Sequence, residues 1–140
     1  MSFSETISPL VGRFALAWFF LSEAYARGSA WEANVSLMVF KQLPVPQLLF
    51  LLALMVMILG GLSLLLGFHA RHGAMLLFGF TILATVLMHD YWTIRNVVDR
   101  AADYEIFARN IAIAGALLMM IGMGAGPLAL DNRVVAKKKH

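Results

Sequence analysis

From Pro46 to Gly67 the chain carries Gln47 and Ser63 as its only polar side chains. A segment so long and so apolar must hide its surface from water while pairing all of its own backbone amides. A helix in lipid does both, because about 20 apolar residues cover a hydrocarbon core of about 30 Å and every interior N–H finds a carbonyl within the segment. Comparable runs recur, so spans are predicted over about 8–26, 46–67, 72–92 and 107–123. Over its 140 residues the chain is 61% hydrophobic and 14% charged, against roughly 25% charged in soluble domains. One domain of this size has too little interior to bury that much apolar surface in water. The predicted fold class is all-α, a four-helix transmembrane bundle in a single domain spanning 1–140, with a basic C-terminal tail over 131–140.

Local chemistry marks the ends and contacts of these helices. Ser8 is expected to cap the first, with Pro9 in its first turn, and Arg13 and Glu23 interrupt its apolar character. The first apolar run starts with little positive charge, so it reads as a span and not as a cleaved leader. Gly60 and Gly61 in the second helix, and Ala112, Gly115 and Ala116 in the fourth, are small residues that let backbones approach closely. "GMGAGP" ends the fourth helix. "FHAR" joins the second and third as antiparallel neighbours. In the longer first connection, Trp31, Val35, Met38 and Val39 suggest a short amphipathic helix at the interface. The third connection holds Arg95/Asp99 and Glu105/Arg109 at i,i+4 and reads as a helical extension of the fourth span.

An even number of spans puts both termini on one face with the inner turn. That face holds Arg13, Arg71, Arg133, Lys137, Lys138 and Lys139, against Arg27, Lys41, Arg95, Arg100 and Arg109 on the other. The positive-inside rule then favours cytoplasmic termini. The closing "KKKH" suits anionic lipid; with no aromatic residues interleaved it does not suit nucleic acid.

In this topology "TILATVLMHDYWTI" brings His89, Asp90, Tyr91 and Trp92 to the outer end of the third helix. Glu23 and Arg27 are expected at the outer end of the first, and Arg109 and Asn110 at the start of the fourth. Structural roles account for part of this set. Tyr91 and Trp92 fit an interfacial aromatic belt, and Glu23/Arg27 fit an i,i+4 ion pair. The functional reading is a polar pocket at the edge of the bilayer. Imidazole exchanges protons near neutral pH, and ionisable groups inside spans mark sites of function. His89 and Asp90 are adjacent in sequence and so point in different directions, each toward a partner on another helix. They are the candidate proton-exchanging residues; Glu23, Arg27, Trp92, Arg109 and Asn110 are candidates for lining a lipophilic pocket.

Other chemistries find little support. The chain has no cysteine, which excludes thiolate, disulfide and iron–sulfur ligation within it. His69 and His72 are too few for a metal site, so no metal is expected. The membrane histidines sit at opposite ends and do not face each other as haem ligands would. The nine methionines read as apolar filling. Arg13 is assigned a structural role, bonding headgroups or the carbonyls freed by "GMGAGP".

The order and spacing of "VGRFALAWFF", "VSLMVFKQLPVPQ", "GGLSLLLGFHARHGAMLL", "LMHDYW", "FARNIAIAGALLMM" and "GAGPLALD" resemble the DoxX family of small four-helix membrane proteins. The resemblance implies a bacterial-type inner-membrane protein. Some members of that family are subunits of a thiosulfate:quinone oxidoreductase, and others are associated with thiol-redox partners. It draws attention to Arg13, His89, Asp90, Trp92 and Asn110. Implied with it are a bound quinone in place of an intrinsic cofactor, a protein partner that brings the redox centre, and room for a homo-oligomer. The alternative is a non-catalytic accessory or assembly protein. The chain also departs from the family pattern. Many relatives have a glutamate three residues before the Gly-Gly pair, where this chain has Met57, and a glycine late in the first helix, where it has Glu23. A carboxylate is thus lost from mid-membrane and another gained, at an expected different depth.

Overall fold

The computed structural model describes residues 2–137. Its helices are α1 (Phe3–Ser29), α2 (Trp31–Phe40), α3 (Pro46–Leu66), α4 (Ala70–Met88), α5 (Val97–Met123) and α6 (Leu130–Lys137), with one 3₁₀ turn at Tyr91–Thr93. The expected bounds hold closely for α3. Pro46 opens it, where its missing N–H costs nothing, and Gly67 ends it at φ +66°. Helix α1 starts well before the expected Ser8 cap. Ser2 and Glu5 form a capping box there, with Glu5 N–H donating to Ser2 Oγ at 3.3 Å and Ser2 N–H to Glu5 Oε2 at 2.7 Å. Pro9 therefore lies inside the helix and not in its first turn.

Two connections also differ from expectation. Helix α2 forms, but its apolar residues surround it instead of gathering on one face. Val35 is buried, while Leu37, Val39 and Phe40 are exposed. The third connection does extend α5, capped by Asn96, whose side chain accepts from Val98 and Asp99 N–H at 2.9 and 3.2 Å. Neither Arg95/Asp99 nor Glu105/Arg109 is an ion pair among the described residues.

The long helices pack as successive neighbours, α1 on α3, α3 on α4 and α4 on α5, around a core that includes Ala17, Phe20, Met57, Leu64, Ala74, Leu77 and Leu117. Two glycine contacts set how close they come. A Cβ on Gly60 would stand 2.5 Å from Leu77, and one on Gly73 2.4 Å from Ser63 Oγ. By contrast, Gly115 has open space where its Cβ would be, and Ala112 and Ala116 are exposed. Ala112, Gly115 and Ala116 therefore play no part in packing this chain, contrary to the sequence reading; Ala114 is the small residue of α5 that is buried.

Helices α3, α5 and the stretch Ala70–Thr93 are long and apolar enough to cross a membrane. Helix α1, 27 residues long, reaches about 40 Å at 1.5 Å per residue and packs along α3 as the fourth member. Its ionisable residues Arg13, Glu23 and Arg27 keep its apolarity lower. Large side chains such as Trp18, Leu59, Leu83 and Met119 are more than half exposed, and lipid is the solvent that accommodates such a surface.

One end of the bundle is stitched together by contacts distant in sequence. Arg13, only 3% exposed, donates from Nη1 to the Ala125 carbonyl at 3.0 Å, as expected of its structural role. Gly126, at φ +85°, sits against Pro9. Asp131 caps α4, accepting from His69 N–H at 2.7 Å and Ala70 N–H at 3.0 Å. The start of α1, the α3–α4 turn, the end of α5 and α6 thus share one face. Of the expected basic tail, Lys138, Lys139 and His140 lie outside the described residues.

Candidate functional site

A cavity of about 270 Å³ opens between α1, α2, α3 and α4 and touches α5 at Asn110. Its walls are mainly aliphatic and aromatic, supplied by residues such as Phe20, Phe50, Met57 and Met88. The polar groups in the lining are Glu23, Arg27, Asn34, Thr81, Thr85, His89 and Asn110. An apolar cleft with a few convergent polar groups is the usual form of a small-molecule site.

Four of the sequence candidates meet here: Glu23, Arg27, His89 and Asn110. Glu23 and Arg27 form the i,i+4 pair, with Arg27 Nε and Nη2 each 3.1 Å from Glu23 Oε2. Their depth differs from the expected outer rim. Gly61 packs on Leu21 and Gly28 on Leu54, an antiparallel register that sets Glu23 level with Leu59, past the midpoint of α3. Glu23 and Met57 consequently lie about half a turn apart in depth and line the same cavity. The carboxylate of α1 thus occupies nearly the depth at which the family pattern puts its glutamate, contrary to the expected mismatch.

His89 follows the last residue of α4. Because the helix ends at Met88, His89 and Asp90 leave in directions set by a loop and not by helical geometry. They find separate partners. His89 Nδ1 lies 2.8 Å from Asp103 Oδ1 on α5, with both side chains largely buried, and the other oxygen of Asp103 is buried with no partner among the described residues. Asp90 faces away from the cavity. It binds Lys41 at the end of α2 and accepts from Thr93 Oγ1 at 3.0 Å, so it ties α2 to the 3₁₀ turn over the outer end of the bundle.

Two further candidates lie elsewhere. Trp92 is 56% exposed and stacks edge-on with Tyr91 and Phe107, and Tyr91 also meets Tyr104. This is the interfacial belt. Arg109 lies 5.5 Å from the ring centroid of Phe19, outside the cavity. Among the described residues no group of three or more metal-ligating side chains is assembled.

The sequence reading missed Asp103, Thr81 and Thr85. Asp103 was legible in principle, because Asp103, Asn110, Ala114 and Leu117 recur at helical spacing and Ala114 and Leu117 are buried. The two threonines, one turn apart, were masked by the apolar run around them. Both are buried, at 6% and 1% exposure, and neither hydroxyl has a partner among the described residues.

Comparison with known proteins places this architecture. The DoxX family model matches residues 8–90. Two similar proteins are inner membrane proteins of Escherichia coli. YphA is 28% identical over 125 residues, covering 89% of this chain and 88% of its own length. YqjF is 25% identical over 134 residues, covering 96% of each. No solved structure matches the chain. With its helical bundle, its lipid-facing surface and this family match over most of its length, the chain belongs to the DoxX family of inner-membrane proteins.

Proposed function

We propose that this chain is the membrane subunit of a quinone-linked oxidoreductase of the sulfur or thiol type, holding the quinone in the cavity between α1, α3 and α4. The observation that carries this reading is the cavity itself, apolar over most of its wall and polar at Glu23–Arg27, Thr81, Thr85, His89 and Asn110. A quinone bound there supplies the redox chemistry, with electrons delivered by a partner protein. The chain's own residues bind, orient and exchange protons. His89 is the proton-exchanging group, standing between the cavity and Asp103, whose carboxylate fixes the imidazole's tautomer and orientation. Asn110 offers an amide to a ring oxygen, and the aliphatic walls exclude water. Asp90 is a positioning residue that holds α2 in place through Lys41.

Protein extracted in mild detergent is expected to carry quinone detectable by mass spectrometry. His89→Ala should reduce the retained amount several-fold, up to about tenfold, the loss of one hydrogen bond to a groove-bound ligand. Quinone content unchanged by that substitution would sink the assignment of His89. A second reading, a non-catalytic accessory protein, is favoured by the outward face of α5, where Ala112, Gly115 and Ala116 are exposed. In that case Gly115→Leu should abolish recovery of partner proteins while His89→Ala leaves it intact.

A further inference from the structure

Thr81 and Thr85 stand one turn apart on α4, and His89 continues the same line at the helix end. All three line the cavity. A threonine inside a membrane helix ordinarily returns its hydroxyl to the carbonyl one turn back. Here Thr81 Oγ1 and Thr85 Oγ1 do not, although both residues are more than nine-tenths buried. A buried hydroxyl without a partner costs free energy comparable to a lost hydrogen bond. Both hydroxyls belong to residues that line the cavity, so a ligand oxygen that displaced the atoms covering them would find two donors one turn apart in an otherwise apolar wall.

The remaining charges in the cavity narrow what that something is. Arg27 is engaged by Glu23 through two of its nitrogens, so the only cation in the lining is already neutralised by its neighbour. An anionic headgroup would find no free countercharge and would meet the Glu23 carboxylate. A neutral, lipophilic molecule with an uncharged oxygen fits both the walls and the electrostatics.

We propose that Thr81 and Thr85 form the deep oxygen-binding notch for the quinone, donating to a ring carbonyl at mid-membrane while His89 serves the outer end of the same cavity. This rests on the function proposed above and adds the direction of binding: the ring enters head-first toward α4 and its tail leaves toward α2. The notch also explains why a polar pair persists in an otherwise aliphatic stretch of α4.

The test compares the full-length protein with Thr81→Val/Thr85→Val and Thr81→Ser/Thr85→Ser, each purified in mild detergent. Valine matches threonine in shape and lacks only the hydroxyl. Binding of a para-benzoquinone with a short alkyl tail is measured by equilibrium dialysis, with the corresponding alkylbenzene, which has no oxygens, as control. The valine variant is expected to bind the benzoquinone on the order of tenfold more weakly per hydroxyl removed, to bind the alkylbenzene unchanged, and to melt at the same or a higher temperature without ligand. The serine variant should retain benzoquinone binding. Equal benzoquinone binding by the parent and valine proteins would overturn the notch and leave the quinone reading standing. A lower melting temperature of the ligand-free valine variant would also overturn it, since the hydroxyls would then be serving the fold. No benzoquinone binding by the parent protein would overturn both.

Discussion

Arg13 shows how one residue can be charged, buried and structural at once. It sits on α1, 3% exposed, donates to Ala125 across the bundle, and lies close enough to Asp131 to feel its charge. Its Nη1 would stand 2.8 Å from a Cβ on Gly67, so the guanidinium fills space that only glycine at that turn leaves open. Arg13→Ala removes a charge-assisted hydrogen bond and opens a void beside the α3–α4 turn. It should cost about 1.5–3 kcal/mol, read as a lower detergent-solubilised melting temperature and faster proteolysis after Gly124. Glu23 is the opposite case. The sequence offered both an ion pair with Arg27 and a pocket wall at the outer rim, and the register of α1 on α3 sets it deeper in the cavity wall. Asp103 emerged as the partner of His89 although nothing in its immediate neighbours announces it.

Among the elements, α3 and α4 approach each other closely, and the reason lies in small residues. Gly60 receives Leu77, and Gly73 receives Ser63, whose hydroxyl also donates to the Phe68 carbonyl at 2.7 Å. Gly73→Val forces its new atoms into Ser63 and should destabilise the bundle by about 1–3 kcal/mol through overpacking. Gly115→Leu meets open space, and should leave the melting temperature and the monodispersity of the isolated chain unchanged. Size-exclusion chromatography and thermal melting of the two variants in parallel distinguish these outcomes. Sequence alone made Gly60 and Gly115 look alike, since small residues at helical spacing serve close packing wherever two helices meet. Which faces meet is a matter of how α5 rests on α4.

For the molecule as a whole, its two ends differ in construction. At one end Arg13, Gly126 and Asp131 lock α1, α5 and α6 to the α3–α4 turn. At the other, the mouth end, α2 and His89 line the cavity, the Lys41–Asp90 bridge ties the end of α2 to the residue before the 3₁₀ turn, and the His89–Asp103 pair ties the end of α4 to α5. The locked end carries the exposed cations Arg71 and Arg133, and the positive-inside rule predicts that it faces the cytoplasm. The absence of cysteine allows a direct check. A single cysteine at His72, exposed at the locked end, should react with a membrane-impermeant maleimide only after the cells are permeabilised. One at Val97, exposed at the mouth end, should react in intact cells. The reverse pattern would invert the orientation.

The span pattern, the helical class and the membrane setting were fixed by hydrophobic run length, a local property that needs no knowledge of partners. The capping box at Ser2 and Glu5 was also local, and legible, though the more prominent Ser8-Pro9 drew attention from it. What needed the folded chain was everything that depends on register and facing. This includes the depth of Glu23, the pairing of His89 with Asp103, the withdrawal of Asp90 and Arg109 from the cavity, and the two threonines left without partners. A run of apolar residues specifies that a helix crosses lipid, but leaves open how far it slides and turns against its neighbours. Those two degrees of freedom are settled by interlocking side chains such as Leu21 on Gly61 and Leu77 on Gly60, and they decide which polar atoms share a cavity.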